Sequence, residues 1–368
     1  MSKEQPTPTL QDVATAAKVS TATVSRCLNF PDQVKEKTRT KVLKAIKMLS
    51  YSPNFGARAM ASRRTDTIGA IIPTMGNAIF ARGLQAFQDE LHQHGFTMLV
   101  ASTSYREDIE EEQIRALVGR GADALLLIGH ARSPEVYRFL EAQAVPALVT
   151  WAFDASLSRP SIGFDNQKAM CRMAKKVIDL GHRNLALVSA ETILNDRAKA
   201  RQLGIEDALV AANLCAKTLH IVKTTYGIEE GATAFEQVMK AAPQTTAVFC
   251  GNDVLAVGAL RKARELGFKV PQDVSIIGFD DIELAEIAYP ALTTVHVPHR
   301  EMGRRAAEAG VRGADETRGS RSSSYASASR ARRWWRRFHT SGRRANSSSP
   351  PPSCSSRSAP AASPLAPS

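Results

Sequence analysis

Eight short aliphatic or β-branched runs recur along residues 65–310, and amphipathic helical stretches separate most of them. The runs are Thr67–Ile72, Thr97–Ala101, Ala124–Ile128, Ala147–Thr150, Leu185–Ser189, Leu219–Val222, Ala247–Cys250 and Val274–Phe279. Between them lie stretches such as Ala81–His94 and Glu110–Arg120. Alternation of this kind builds βαβ units, whose parallel strands are joined by helices. It is sustained over roughly 240 residues, with a break near Ser161–Asp165, which predicts two doubly wound subdomains. Ligands of such folds sit beyond the carboxyl ends of the strands, so a cleft between the two lobes is the expected binding site. A chain of 368 residues that is 43% hydrophobic has enough apolar surface for these cores.

Residues 1–64 follow a different rule. Thr9 and Asp12 have the spacing of a capping box, and Leu10, Val13, Ala14 and Ala17 fall on one helical face. Lys18-Val19 makes a break, after which Ser20 caps a second helix, Thr21–Leu28, with Val24 and Leu28 inward. Asn29-Phe30-Pro31-Asp32 ends it. A third helix is predicted over Glu36–Leu49, with Val42, Ala45, Ile46 and Leu49 inward. Two short helices joined by a tight turn and braced by a third form a helix-turn-helix, whose second helix enters the DNA major groove. Its exposed positions are Thr21, Ala22, Ser25 and Arg26. Arg26 can donate two hydrogen bonds to a guanine edge, while Thr21 and Ala22 offer a hydroxyl or a methyl group. Ser20, Thr23 and Asn29 suit phosphate contacts, which position the module without reading sequence. The pattern alone leaves open a small helical bundle with a solvated basic face.

Charge divides the chain in the same places. Residues 1–64 carry a net +8, residues 65–310 a net −5 and residues 311–368 a net +9. A mildly acidic body thus sits between two basic ends. The first end is periodic and mixes Lys with apolar residues, as nucleic-acid modules do. The last has no Lys, 11 Arg and 16 Ser, a composition that favours disorder. No apolar run is long enough to span a membrane, and the N-terminus lacks the apolar segment of a secretory signal. The expectation is a cytoplasmic, nucleoid-associated protein without a membrane partner. Five scattered cysteines without a CxxC argue against a disulfide framework or a zinc ribbon. No GxGxxG, Walker loop, GxSxG or HExxH occurs, so no enzyme, cofactor or metal is expected. Consecutive Glu110, Glu111 and Glu112 cannot share a helix face, and His182 reads as a structural turn residue.

The head resembles a known family. Leu10-Gln11-Asp12-Val13-Ala14, then Val19-Ser20-Thr21-Ala22-Thr23-Val24-Ser25-Arg26, then Lys37-Thr38-Arg39 and Tyr51-Ser52-Pro53-Asn54 match the order of the lactose-repressor (LacI/GalR) family of bacterial regulators, without gaps. Leu10-Gln11-Asp12-Val13 and Gly163-Phe164-Asp165-Asn166 are most similar to gluconate-type members. The resemblance covers nearly all of residues 9–305. It implies an N-terminal three-helix DNA-binding domain over 1–52 and a hinge over 53–64. The α/β core over 65–310 would be periplasmic-binding-protein-like, with two doubly wound parallel-sheet lobes, about 65–162 plus 293–310, and 163–292. It also implies a homodimer on a palindromic double-stranded operator. In the hinge, Asn54 and Arg58 are expected at DNA, and Met60 takes the place of the apolar wedge that opens the central base step.

The same resemblance implies effector positions. Asn77, Ile79 and Phe80 match the first cleft loop, and Trp151 a strand end where many members carry a polar group. Asn195-Asp196-Arg197 with Arg201 matches the motif whose arginine clamps the ligand. Tyr226 matches an aromatic position, Asn252-Asp253 an Asn-Asp pair and Asp280 a sugar-binding aspartate. A sugar or sugar acid is the expected effector. Each residue also has a bland reading: Asp196 and Arg197 pair with each other, Asp253 caps a helix, and Trp151 and Tyr226 are core.

The resemblance stops after Ala307, and no apolar periodicity is read in residues 311–368. They read either as a basic disordered tail or as the product of a shifted reading frame. If the native ending is missing, what remains is a ligand-binding module or a nonspecific DNA binder that has lost operator function.

Overall fold

The computed structural model describes residues 7–52, 64–76, 78–157 and 159–318. Three helices form the head: α1 (Leu10–Ala17), α2 (Thr21–Asn29) and α3 (Glu36–Met48). The capping box at α1 is complete. Thr9 Oγ1 accepts the Asp12 amide, and Asp12 Oδ2 accepts the Thr9 amide at 2.8 Å. Lys18 closes α1 in the left-handed region, and Ser20 Oγ caps α2 through the Thr23 amide at 3.2 Å. These two caps set the tight turn. Val13, Ala14, Ala17, Val24, Cys27, Val42 and Ala45 make the head's core.

The body is two parallel sheets. The first has strand order β2-β1-β3-β4-β5, with β1 Thr67–Ile72, β2 Thr97–Ser102, β3 Ala124–Ile128, β4 Ala147–Thr150 and β5 Ser161–Ile162. Its helices are α4 (Ala78–Gln93), α5 (Glu107–Gly119) and α6 (Pro134–Ala142). The second has order β7-β6-β8-β9, with β6 Leu185–Ser189, β7 His220–Lys223, β8 Ala247–Cys250 and β9 Ser275–Ile277. Its helices are α7 (Asn166–Asp179), α8 (Asp196–Ala211), α9 (Ile228–Ala241), α10 (Asp253–Glu265) and the short α11 (Glu283–Ile287). The chain then returns to the first lobe, where α12 (His299–Arg318) packs along α4. All strand pairings are parallel, and both sheets are enclosed by helices.

Several expectations need correction. Ser161–Ile162, at the start of the expected break, forms a fifth strand on β4, and the passage between the lobes falls on the rest of that segment, Gly163–Asp165. β9 ends at Ile277, and the Gly278 amide donates to the Thr293 carbonyl at 2.9 Å. Beyond it, isolated bridges join Ile277 to Thr293 and Asp280 to His296. The ordered body does not end at Gly310, since α12 continues to Arg318 with Val311, Gly313, Ala314 and Thr317 buried. A helical face does survive there, but it is built of small residues that a hydropathy pattern under-reads. α12 lies on α4 so closely that a Cβ at Gly303 would come within 2.0 Å of the Gly83 carbonyl oxygen. Glycine is required at that crossing. His182 is structural as read, bonded to Thr246 Oγ1 at 2.9 Å.

Candidate DNA-reading face and effector cleft

The head presents α2. Ala22 and Arg26 are exposed, and Thr21 and Ser25 are half-buried beside them. Arg26 makes no ion pair or hydrogen bond through its side chain among the described residues. Ser20 Oγ and Thr23 Oγ1 bond each other at 2.9 Å, and Asn29 Nδ2 donates to Ser25 Oγ at 3.2 Å. The residues expected at phosphates are therefore ordered by local bonds, while the guanidinium expected at a base edge is left open. Lys35, Lys37, Lys41, Lys44 and Lys47, on and just before α3, are exposed cations of the same head. Asn54, Arg58, Met60 and Asn77 lie outside the described residues.

The cleft lies where the carboxyl ends of both sheets meet. Many of the left-handed residues of the body stand there: Ser104 and Tyr105 after β2, Gly129 after β3, Trp151 after β4, Leu194 after β6, and Asp280 and Asp281 after β9. Non-glycine residues held in that region store strain, and such strain clusters at binding sites.

Asp280 is the centre of the site. It is fully buried, and neither carboxylate oxygen has a hydrogen-bond partner among the described residues. The nearest cation is Arg201, whose Nη2 is 3.7 Å from Oδ1. Burial pushes the Asp280 pKa up to about 7, with Arg201 opposing and Asp253 reinforcing. Arg201 is held from three sides. Nε donates to Asn166 Oδ1 at 2.9 Å, Nη1 donates to the Gly251 carbonyl, and the guanidinium lies over the Phe279 ring at 3.8 Å. Asn166 in turn donates to the Trp151 carbonyl at 3.0 Å.

Asn252 caps α10, its Oδ1 accepting the Leu255 amide at 2.9 Å. That corrects the expectation that Asp253 is the cap. Asp253 is instead buried, accepting from Ile282 N at 2.9 Å and from Thr294 Oγ1. The cap uses only the oxygen of Asn252, and among the described residues Nδ2 is left buried without a hydrogen-bond partner, as is Ser189 Oγ at the end of β6. A buried polar atom left unbonded is costly, so such atoms at the carboxyl ends of neighbouring strands mark a place suited to a polar ligand.

Across the cleft the lobes already touch. Asp196 pairs with Arg197 at 3.0 Å, as the bland reading held, and also accepts the His130 amide of the first lobe at 2.6 Å. Tyr105 of the first lobe and Tyr226 of the second bring their rings to 5.7 Å. Burial pushes the Tyr105 phenol up, so it is a neutral donor. Arg82 on α4 donates to the Asp281 carbonyl at 3.1 Å. Beside Arg197 a recess runs into the first lobe, lined by Pro73, Thr103, Tyr105, Glu110 and Leu194.

Of the other expected contacts, Ile79, Phe80 and Trp151 are buried in the core of the body. The Trp151 indole meets Phe80 edge-on at 5.7 Å and spends its only donor on His299 Nδ1 at 3.0 Å. Sequence reasoning missed Tyr105, Asn166, Ser189 and His299. Tyr105 and Ser189 stand at strand ends, so the strand-end rule could have found them. His299 has no such signal, because its partners are 148 and 19 residues away.

Known proteins share this architecture. Residues 9–54 match the bacterial regulatory proteins of the lacI family, and residues 174–332 match the periplasmic binding protein-like domain. Catabolite control protein A of Priestia megaterium is 32% identical over 297 residues, covering 80% of this chain and 89% of that protein. The HTH-type transcriptional regulator GntR of Escherichia coli (strain K12) is 31% identical over 301 residues, covering 82% and 90%. Among solved structures, the Lac repressor dimer bound to operator and the anti-inducer ONPF superposes with a TM-score of 0.73 at 25% identity, covering 84% of this chain and 93% of that one. A complex of the transcriptional regulator CelR with cellobiose gives 0.60 at 29% identity, with the same coverage.

Proposed function

The chain belongs to the LacI family of bacterial regulators, and from that premise we propose that it is a repressor released or recruited by a small sugar or sugar acid held between its lobes. It is a DNA-binding transcriptional regulator with an effector-binding body, not an enzyme. No helix among the described residues is long and apolar enough to cross a membrane.

The observation that carries the ligand class is the Asp280 carboxylate, buried without a hydrogen-bond partner among the described residues, with Asn252 Nδ2 and Ser189 Oγ likewise unbonded at the carboxyl ends of the neighbouring strands β8 and β6. An acceptor, an amide donor and a hydroxyl along one edge of the sheet suit ligand hydroxyls, which both donate and accept. Arg197 pairs with Asp196 and Arg201 faces Asp280, so the cleft is close to charge-balanced and accommodates a neutral sugar as well as a sugar acid. On the DNA side, Arg26 would read a guanine, with Thr21 and Ala22 beside it, in each half of a palindrome bound by two copies. Asn54, Arg58 and Met60 are assigned to the operator centre, and Asn77 to the cleft rim, on the family resemblance alone.

A ligand shifts DNA binding only if it binds one lobe arrangement better than the other. The test is selection of bound DNA from a random pool by the full-length protein at near-physiological salt, followed by titration with D-gluconate, D-glucose and cellobiose. A palindrome whose affinity responds to one of these supports the proposal. A palindrome that none of them affects removes the sugar class. Sequence-independent binding abolished by modest salt would assign the interaction to the basic ends of the chain.

A further inference from the structure

We infer that His299 is a positioning residue that ties the effector pocket to the junction with the DNA-reading head, with α12 as the strut between them. The inference rests on the reading that a ligand in the cleft controls DNA binding. Three observations carry it.

The first is where the imidazole sits. It is buried between two partners from different lobes. Nδ1 accepts the Trp151 indole N–H at 3.0 Å, and Nε2 is 3.1 Å from the carbonyl oxygen of Asp280. One accepting and one donating nitrogen require the neutral ring with its proton on Nε2. Burial, which pushes the His299 pKa down to about 4, keeps it neutral. Asp280 itself is at φ 110°, a conformation that its surroundings must hold in place. When the carboxylate of Asp280 moves to meet a ligand, the carbonyl gripped by His299 moves with it.

The second is the rigidity of the helix that His299 starts. α12 runs 20 residues from His299, about 30 Å. Its Gly303 touches the backbone of Gly83 on α4, and the Trp151 ring fills the notch beside Gly83, where a Cβ would come within 2.4 Å of it. Trp151, α4 and α12 are thus one close-packed unit, and such units move as bodies rather than bend.

The third is the far end. Asp315 pairs with Arg64 Nη1 at 2.8 Å, and Arg64 also pairs with Asp66 and lies over the Phe96 ring at 4.6 Å. Gly310 rests against Ile68 of β1. Arg64 is the first described residue after the segment that joins head and body. One helix therefore contacts the ligand-facing turn at its start and the head junction near its end. A histidine that merely filled space beside Trp151 would affect its neighbours and nothing beyond them.

The test uses the full chain. In hydrogen exchange without ligand, His299→Gln is expected to speed the amides of Asp280–Ile282 and also those of Thr65–Ile68 by at least about fivefold. Asp315→Ala changes an exposed carboxylate outside the pocket and leaves the fold intact. Coupling is reciprocal, so this variant is expected to speed Asp280–Ile282 by at least about threefold. In the sugar titration, Asp315→Ala is expected to keep the affinity of the active sugar within about twofold and to lose at least about fivefold of the operator response. Exchange confined to the neighbours of each substitution, or an operator response in Asp315→Ala equal to that of the unsubstituted protein, overturns the strut. If His299→Gln unfolds the body, Asp315→Ala decides alone. If no sugar acts on the unsubstituted protein, the effector reading fails by itself, and the exchange data still decide the strut.

Discussion

The reading head and the effector cleft distribute burial in opposite ways. In the head, Val13, Val24, Val42 and a few small neighbours are buried, while Ala22 and Arg26, which we propose face DNA, stay in solvent. In the cleft, the groups that would face a ligand are themselves buried: Asp280, Asn252 and Ser189 carry polar atoms without partners, and the backbone around them is strained. DNA is large and brings its own charged, hydrated surface, so its reader needs access and no preformed cavity. A small ligand must be stripped of water and surrounded, so its reader is built inside and left incomplete. The head is therefore stable without its partner, whereas the cleft keeps a cost that its partner relieves.

Substitutions can break this contrast, and the largest effect is expected in the head. Val24→Asp places a charge in a core of seven side chains and should cost about 4 kcal/mol. Calorimetry should show the head transition lost and the body transition unchanged. One merged transition lost as a whole would mean that the two regions are not separately stable. Gly204→Val is the mirror experiment. Its Cβ would come within 2.3 Å of the Gln167 carbonyl, so the α7–α8 contact must open, at about 3 kcal/mol. Here the body should melt early while the head keeps its helices.

Functional substitutions sharpen the contrast. Arg26→Ala should leave both melting transitions in place and cost about 1–3 kcal/mol of discrimination at one base pair per half-site. Equal loss on all operator variants would make Arg26 a phosphate contact. Asp280→Asn should stabilise the body near neutral pH and weaken the effector. The folded pKa of Asp280, about 7, lies above its ordinary 3.8, so the group contributes stability that is full at acid pH and is lost as pH rises through 7. Effector hydroxyls donate to the ionised form, so effector affinity should fall about tenfold per pH unit below 7. In Asp280→Asn both slopes should vanish, and a persisting slope would move the titrating group elsewhere. The smallest effect is at Asn252. Alanine there should cost about 1 kcal/mol as a lost cap and weaken the effector, whereas serine should restore the cap and not the effector.

The same contrast explains what was legible in the sequence. The head is local: Thr9, Asp12, Ser20, Val24 and Arg26 lie within 18 residues, and Thr9, Asp12 and Ser20 cap their helices through partners three positions away. Helical period and caps were enough to place them. The alternation of the body was equally plain, because every strand needs its own apolar run. The cleft is assembled from the ends of strands that are distant in sequence, and only the family resemblance brought Arg201, Asn252 and Asp280 together. That resemblance did not reveal that the single donor of Trp151 is taken by a histidine 148 residues away. The end of the body was misread for a simpler reason. Gly303, Gly310, Gly313 and Ala314 pack α12 by being small, and smallness leaves no hydropathy signal.

The return of the chain to the first lobe also orders the birth of the protein. Met302, Ala306, Ala307, Ala309, Val311 and Ala314 of α12 belong to a core whose strands β1 to β5 are made much earlier. Roughly 140 residues separate β5 from α12, which at ribosomal speed is roughly 10 to 30 s. During that interval the head and the second lobe can complete themselves, while Trp151 and the notch at Gly83 wait uncovered. The head is therefore finished well before the first lobe, which closes only when α12 arrives to cover that apolar groove.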